Sequence, residues 1–569
     1  MNILGFASVN HDPTLAMISD DEIKFHYEIE RYLRIKDLNI RKFRYQNSFN
    51  YKLVYNKIQE IVEQNIKNVD VVALSMASTF VFYNSIFTPI MKKNINYDMN
   101  FEKFEENVIS YAKNLNNFED HIFFENEKIY FIDHHLSHLS YSFLTSPFEE
   151  SDVLSYDGYG FKNQSLFKQN NKLFDTGING GTADFFIGLL WVHGNMLYFN
   201  SENSPGKGMA LSAYGKINYK LIELFDNIQE KYKNRLIGFA YGTHVLDIYN
   251  GLFSKNPVNI EDFYTTLQYY STELVVNNLK KYKSSDNLCL SGGCALNGYI
   301  NEEILKRKIY KKIHIPPAVT DEGQSLGAAL HALYTLEGKR ININNPNKIM
   351  YLGESYSVPE YIKENLKLED DELYTFLAKK ISEGYVIGWY QGRSESGPRA
   401  LGNRSILADP RNPKMKDHIN FKVKKREWYR PFAPSVLMEE ASKWFILNGN
   451  PIAPYMTRIL KYKKGKSKHV PATTHIDDTA RIQTVTEEIN PRYYKLIKEF
   501  FKLTKVPILL NTSFNGKNEP IVETPSNAFK CFQKNNIDIL VLENNVYFRN
   551  GDKNIKPFIE ESNVDEHVR

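Results

Sequence analysis

An α/β fold in two units is predicted by three features of this 569-residue sequence. Short apolar runs, NVDVVALSM (68–76), KIYFIDHH (128–135) and DVLSYDGYG (152–160), end in polar or glycine turns and alternate with helical stretches. The plan of strand, turn and helix in NLCLSGGCALNGYINEEILKR (287–307) recurs in KIHIPPAVTDEGQSLGAALHALY (312–334). The Asn/Pro-rich stretch GKRININNPNKIMYLGESYSVPE (338–360) then interrupts the pattern. Ligands of α/β folds gather where strands end, so polar residues at those ends are the candidates for chemistry.

Taken in order, NILGFASVNHD, TLAMIS and EIKFHYEIERY read as strand, turn, strand, strand. The first unit is placed at 1–345, a linker at 346–370 and a second unit at 371–550. The second opens with a helix (ELYTFLAKKISEG) and a strand (YVIGWYQG), passes an arginine-rich turn, and ends near IDILVLENNVYF (537–548). Residues 551–569 read as a mobile polar tail. No internal repeat or low-complexity tract is read, and the lysine-rich KYKKGKSKH (461–469) reads as a solvated loop.

Composition narrows the class. The chain is 42% hydrophobic and 24% charged, with a net charge of +4, which neither demands nor excludes a polyanionic partner. Cys289, Cys294 and Cys531 form no CxxC and no paired framework, which suits a reducing cytosol. The start lacks a basic leader region, and no apolar run reaches the ~18 residues of a membrane span. A cytoplasmic enzyme or binding protein without membrane contact is expected.

Four constellations carry chemistry. In DHHLSH (133–138), His134 and His138 share one helix face at metal-ligand spacing. Alone, that spacing is commoner among surface and core histidines. Asp157, ending LSYD, and Asp321, in PPAVTDEG, supply carboxylates at strand ends. Two His and two carboxylates without thiolate suit Fe(II), Mn(II) or Zn(II), with phosphate oxygens completing the shell. In SGGCALN, Gly292 and Gly293 let a phosphate approach a helix start, although a plain tight turn explains them equally well. Lys207 in GKGMALSAYG is available for an anion. His11 beside Asp12 can act as a general base or simply cap a turn. ERYLRIK offers Arg31, Arg34 and Lys36, otherwise a solvated face.

The fourth is SGPRALGNRSILADPR (396–411), in which Arg399, Arg404 and Arg411 follow Arg393. Lys424, Lys425, Arg426 and Arg430 in KVKKREWYRPFAPS join them, as do His475 and Arg481 in THIDDTARIQTV, and Asn511 and Ser513 in ILLNTSFN. Guanidinium forks suit bidentate capture of phosphate and carboxylate. Arginines holding turns together account for some of them.

GRSESGPRALGNRSILADPR, KREWYRPFAPS, THIDDTARIQTV and VPILLNTSFN together resemble the carbamoyltransferases that include the nodulation enzymes and those acting on aminoglycosides, cephamycins and ansamycins. The N-terminal HD, ERYLRIK, HHLSH, LSYDG, GGCALN and PPAVTDEG patterns agree, so the resemblance runs from about residue 3 to about 548. It implies a Kae1-like domain of the actin/Hsp70 (ASKHA) class, followed by a YrdC-like α/β domain. It implies ATP, with Mg(II), and carbamoyl phosphate as co-substrates, and carbamoyl-adenylate as the activated donor.

Carried over residue by residue, His134, His138, Asp157 and Asp321 become metal ligands, for Fe(II) or another divalent ion. Gly292, Gly293 and Asn297 fall near the adenylate, with Lys207 close by. His11 becomes the base for the acceptor hydroxyl and Lys36 a nearby catalytic cation. Arg399, Arg404, Lys424, Arg430, Arg481, Asn511 and Ser513 fall in the carbamoyl-phosphate and ATP site. The acceptor ranked first is a small hydroxylated metabolite, and the second a hydroxymethylated nucleobase in DNA. A tRNA threonylcarbamoyl-type enzyme and a non-catalytic ATP-binding regulator are lower alternatives. Family members can be dimeric, so a homodimer is among the partners. DGYGFKNQS and the SPGKG of 204–208 depart from the family pattern near the acceptor side and leave the acceptor open.

Overall fold

The computed structural model describes residues 1–7, 13–36, 38, 57–58, 60–61, 69–76, 121–124, 129–156, 164–169, 177–178, 188–199, 205–232, 258–343, 345–450 and 452–561. His11 and Asp157 lie outside the described residues.

Two sheets build the first unit. One contains β1 (Ile3–Ala7), β2 (Thr14–Ser19), β3 (Glu22–Glu28), β4 (Val71–Met76), β5 (His121–Phe124) and β6 (Ile129–Asp133), in the order β3-β2-β1-β4-β6-β5. The other contains β7 (Ser151–Tyr156), β8 (Gln164–Gln169), β9 (Gly177–Ile178), β10 (Asn287–Ser291) and β11 (Lys312–His314), in the order β11-β10-β7-β8-β9. Apart from the edge strand β5, the two have one topology. A three-strand antiparallel meander is followed by two strands parallel to its first. This internal duplication corrects the reading of no repeat. The copies share strand order and direction, with different residues in each.

β1 and β7 are buried along their whole length, as strands covered on both faces are. The helices His134–Leu144 and Gln324–Glu337 join the two sheets. One apolar cluster unites Ile3 and Val71, Val153 and Cys289, and Leu136 and Leu326 of the helices. The helices approach closely at Gly327, where a Cβ would collide with the Ser137 carbonyl.

The second unit is a mixed eight-stranded sheet. Its strands are β12 (Leu366–Lys367), β13 (Ile387–Tyr390), β14 (Arg404–Ala408), β15 (Ala433–Leu437), β18 (Gln483–Val485), β19 (Ile508–Ser513), β20 (Ile539–Leu542) and β21 (Asn545–Phe548). β16 (Ile459–Lys461) and β17 (Thr479–Arg481) form a separate ribbon. The stretch read as a linker carries β12, paired with β21. The start of the expected tail is also docked. Helix Phe558–Glu561 begins where the Phe558 N–H donates to Asp538 Oδ1 at 2.9 Å, and the Arg549 guanidinium covers the Phe558 ring at 3.4 Å.

Candidate active site between the two units

A cavity of ≈ 930 Å³ lies between the units and is lined by both. Of the residues singled out from sequence, Arg31, Lys36, Lys207, Gly293, Asn297, Asp321, Arg399, Lys424, Lys425, Arg426, Arg430, His475, Arg481, Asn511 and Ser513 line it.

The N-terminal side carries a metal-ligand set. β6 runs directly into helix His134–Leu144, so His134 and His138 emerge one turn apart with ring centroids 4.8 Å apart. Asp321 starts the turn before helix Gln324–Glu337. Its Oδ1 lies 3.6 Å from His134 Nε2 and 3.4 Å from His138 Nε2. All three residues are buried, and their donor atoms lie within 4.8 Å of one another. Neighbours hold the frame. Gln324 Nε2 donates to the His134 carbonyl at 3.1 Å, Ser75 Oγ donates to Gln324 Oε1 at 2.5 Å, and Ser291 Oγ donates to the His138 carbonyl at 2.8 Å. Two imidazoles and a carboxylate, all buried, fit a divalent first-row cation.

The glycine turn beside it is partly a folding device. Gly292 has φ +86°, a Cβ there would collide with the Tyr156 backbone, and its N–H donates to the Val319 carbonyl at 2.9 Å. Gly292 is not among the cavity-lining residues, whereas Gly293 is. Asn297 lines the cavity, but its side chain caps helix Gly298–Lys306 and pairs with Gln268. Lys207 Nζ pairs with Glu427 Oε1 of the second unit at 3.0 Å.

The C-terminal side is cationic. Arg399, Lys424, Arg426, Arg430 and Arg481 converge there. Burial, then Arg430, pushes the Arg399 pKa down to about 10, with Glu322 opposing. Burial, then Arg430, pushes Arg426 down to about 9. Burial, then Arg399, Arg430 and Arg426, holds Arg481 well below its usual value. Burial, then Arg426, does the same to Lys424. A guanidinium stays protonated in proteins. The downward push therefore measures how poorly water and neighbouring groups solvate these charges. Among the described residues, Arg399 Nε and Arg481 Nε are buried without an acceptor and Asn511 Oδ1 without a donor. Such groups cost roughly 1–3 kcal/mol each until a ligand meets them.

Local geometry aims these groups. Glu395 Oε1 accepts from the N–H groups of Leu401, Asn403 and Arg404 at 2.7, 2.8 and 3.0 Å, which folds the turn that presents Arg399. A π-helical turn, Ile419–Val423, delivers Lys424, whose Nζ donates to Ser513 Oγ at 3.2 Å and Asn515 Oδ1 at 2.5 Å. The Asn511 amide donates to Ala400 O, Ser435 Oγ and Gln483 Oε1 at 3.0–3.1 Å.

Arg404 departs from its expected place. It is fully buried, absent from the cavity lining, and stacked 3.6 Å from the Tyr390 ring centroid. It donates to the carbonyls of Gln391, Gly392, Asn403 and Glu523. Those carbonyls leave no fork for a phosphate, so its work is to hold the turn. Arg393 and Arg411 are likewise committed, to three carbonyls and to Asp409. Arg31 is buried too, not on a solvated face. Sequence reasoning passed over Glu28 and Lys416, which also line the cavity. Neither stands in a motif with a charge or glycine signal of its own.

The description "Carbamoyltransferase N-terminus" matches residues 2–330, and "Carbamoyltransferase C-terminus" matches 378–549. The chain is similar to nodulation protein NolNO of Sinorhizobium fredii, 31% identical over 553 residues, 94% of this chain and 78% of that one. It is also similar to the 3'-hydroxymethylcephem-O-carbamoyltransferase of Amycolatopsis lactamdurans, 30% identical over 350 residues, 61% of this chain and 65% of that one. Among solved structures, the activator of the 2-hydroxyisocaproyl-CoA dehydratase from Clostridium difficile overlaps 59% of this chain and 95% of its own, with 13% identity and a TM-score of 0.33. The two family matches together span nearly the whole chain and meet at the cavity, and the chain belongs to the carbamoyltransferase family.

Proposed function

We propose that the protein is an ATP-dependent O-carbamoyltransferase that builds carbamoyl-adenylate at the cationic side of the cavity and passes its carbamoyl group to an acceptor hydroxyl at the histidine side. The supporting observation is the set of five cations, two of which, Arg399 and Arg481, have unmet Nε–H groups, facing a two-His, one-Asp cluster across one cavity. The reading takes the eight-stranded unit as the YrdC-like domain that the resemblance implies.

Carbamoyl phosphate and water give carbamate and phosphate. Carbamate oxygen then attacks the α-phosphorus of ATP and pyrophosphate leaves. The acceptor oxygen attacks the carbamoyl carbon, and AMP departs with the C–O bond electrons. Arg399, Arg430 and Arg481 stabilise charge on phosphate and pyrophosphate. Lys424 holds Ser513 and Asn515 at the same wall. Asn511 Oδ1 offers an acceptor to the donor's amino group. Carbamate is short-lived, so one enclosed cavity protects it between steps. Lys36 lies on the same lining, and His11, outside the described residues, is the base the resemblance implies. His134, His138 and Asp321 would hold a divalent metal, Fe(II) or another, which supplies positive charge for phosphate oxygens.

The acceptor we favour is a small hydroxylated molecule. The exposed Lys461, Lys463, Lys464 and Lys468, which kept a DNA base in view, do not line the cavity. The test is pyrophosphate release from ATP without acceptor. Release that needs carbamoyl phosphate supports the proposal. Release indifferent to carbamoyl phosphate, or none even with pooled hydroxylated acceptors, contradicts it. Among the described residues no helix is long and apolar enough to cross a membrane.

A further inference from the structure

The cation that faces the cavity from the arginine turn, Arg399, is seated by residues of the other unit. The Gly397 N–H donates to Glu28 Oε1 at 2.6 Å. Glu28 Oε2 pairs with Arg31 Nε at 2.9 Å. The Arg31 fork closes the loop, donating to the carbonyls of Glu395 and Gly397, each at 2.6 Å. Glu28 is 5% and Arg31 3% exposed, and both border the cavity, but Nε, Nη1 and Nη2 of Arg31 are taken up by Glu28, Glu395 and Gly397. Gly397 has φ +91°, and a Cβ there would strike the Pro317 carbonyl, four residues before Asp321. His26 spans the same seam, with Nδ1 2.5 Å from Ser396 Oγ and Nε2 2.6 Å from the Glu322 carbonyl.

We infer that Glu28 and Arg31 are positioning residues: carried by the N-terminal unit, they clamp the Gly397 turn against the Asp321 loop and so set Arg399 relative to the metal-ligand cluster. Two observations support a role beyond cohesion. A buried ion pair is weak as a stabiliser and can often be replaced by apolar groups without loss. Its geometric product here is specific, because the hydrogen bonds from the Arg31 fork and to Glu28 Oε1 fall on Glu395 and Gly397, one to three positions before Pro398-Arg399. The seam also carries Arg393, which ties the carbonyls of Lys24, Leu352 and Gly353 without reaching the cavity lining. Arg393 is thus an internal control for cohesion alone. The inference rests on the proposed reading only for the identity of the anion that Arg399 meets.

The experiment titrates inorganic phosphate into the full chain by calorimetry, with thermal unfolding in parallel, for wild type, Arg31→Lys, Gly397→Ala and Arg393→Lys. Arg31→Lys keeps the charge and loses the fork. Gly397→Ala displaces the turn without touching a charge. Both are expected to weaken phosphate about tenfold or more, the scale of a small misplacement, and to raise the KM for carbamoyl phosphate while leaving that for ATP near wild type. Arg393→Lys is expected to lower the melting temperature and leave phosphate affinity near wild type. Wild-type phosphate affinity in both clamp variants overturns the inference, as does equal weakening by Arg393→Lys. A wild type that binds no phosphate overturns it too. A wild type that binds phosphate but shows no carbamoyl-phosphate-dependent pyrophosphate release sinks the catalytic reading alone, and the phosphate titration still decides the clamp.

Discussion

At the histidine side of the cavity, two imidazoles and one carboxylate are brought together by the packing of two buried helices. At the arginine side, five cations are brought together by turns whose hydrogen bonds go to backbone and amide groups, and their own charges oppose one another. The first side is shaped by the core and persists whether or not a ligand arrives. The second is electrostatically incomplete, so an anion there acts on stability as well as on chemistry. The contrast repeats within one turn. Arg404 spends its guanidinium on four carbonyls, whereas Arg399, five residues earlier, lines the cavity and has an unpartnered Nε–H.

The largest effect should come from separating those two arginines. Arg404→Ala strands buried carbonyls and opens a hole, costing about 3–5 kcal/mol. In thermal unfolding that is a fall of about 10 °C for a unit of this size. Arg399→Ala should melt within a few degrees of wild type and yet lose phosphate binding. A large melting drop for Arg399→Ala would erase the distinction between the two.

Acid should weaken the fold without passing through the metal cluster. Burial, partly offset by the Glu322 carbonyl, holds His26 down at about 4, and burial with Lys422 holds His418 at about 4. Their folded values lie below the unfolded 6.5, so each contributes stability that is whole above about 6.5 and declines as pH falls toward 4. The loss is on the order of 3 kcal/mol per histidine. Denaturant unfolding at pH 7 and pH 4.5 checks it, and His418→Gln should flatten the slope.

Phosphate should stabilise the arginine side by about 2.7 kcal/mol at a hundred times its Kd. The gain should vanish in Arg399→Ala and survive in His138→Ala. The smallest effect on stability belongs to His138→Ala, which should cut bound divalent metal, read by elemental analysis after dialysis, while the melting temperature moves little. Metal retained at the wild-type level would break the assignment of the cluster.

Much of this was legible in the sequence. The four-residue spacing of His134 and His138 and the strand-end position of Asp321 fix side-chain direction locally, so the cluster could be read ahead of the fold. The arginines could be counted but not sorted. Whether a guanidinium meets a ligand or a carbonyl depends on which backbone passes beside it, as Gly392 passes Arg404. The duplication of the two N-terminal sheets was hidden because topology, unlike residue identity, is what the copies share. Arg31 read as a solvated cation because its partners, Glu395 and Gly397, lie more than three hundred and sixty residues away. The strand Leu366–Lys367 inside the expected linker is two residues long and pairs with a distant edge, which leaves no local period to read.

The measurement that bears most directly on the division of labour is pyrophosphate release per enzyme from labelled ATP, with carbamoyl phosphate and no acceptor, for wild type, Arg399→Ala and His134→Ala side by side. The account predicts release by wild type and by His134→Ala, and none by Arg399→Ala. Release by Arg399→Ala, or its loss in a folded His134→Ala, would contradict the assignment of donor activation to the arginine side.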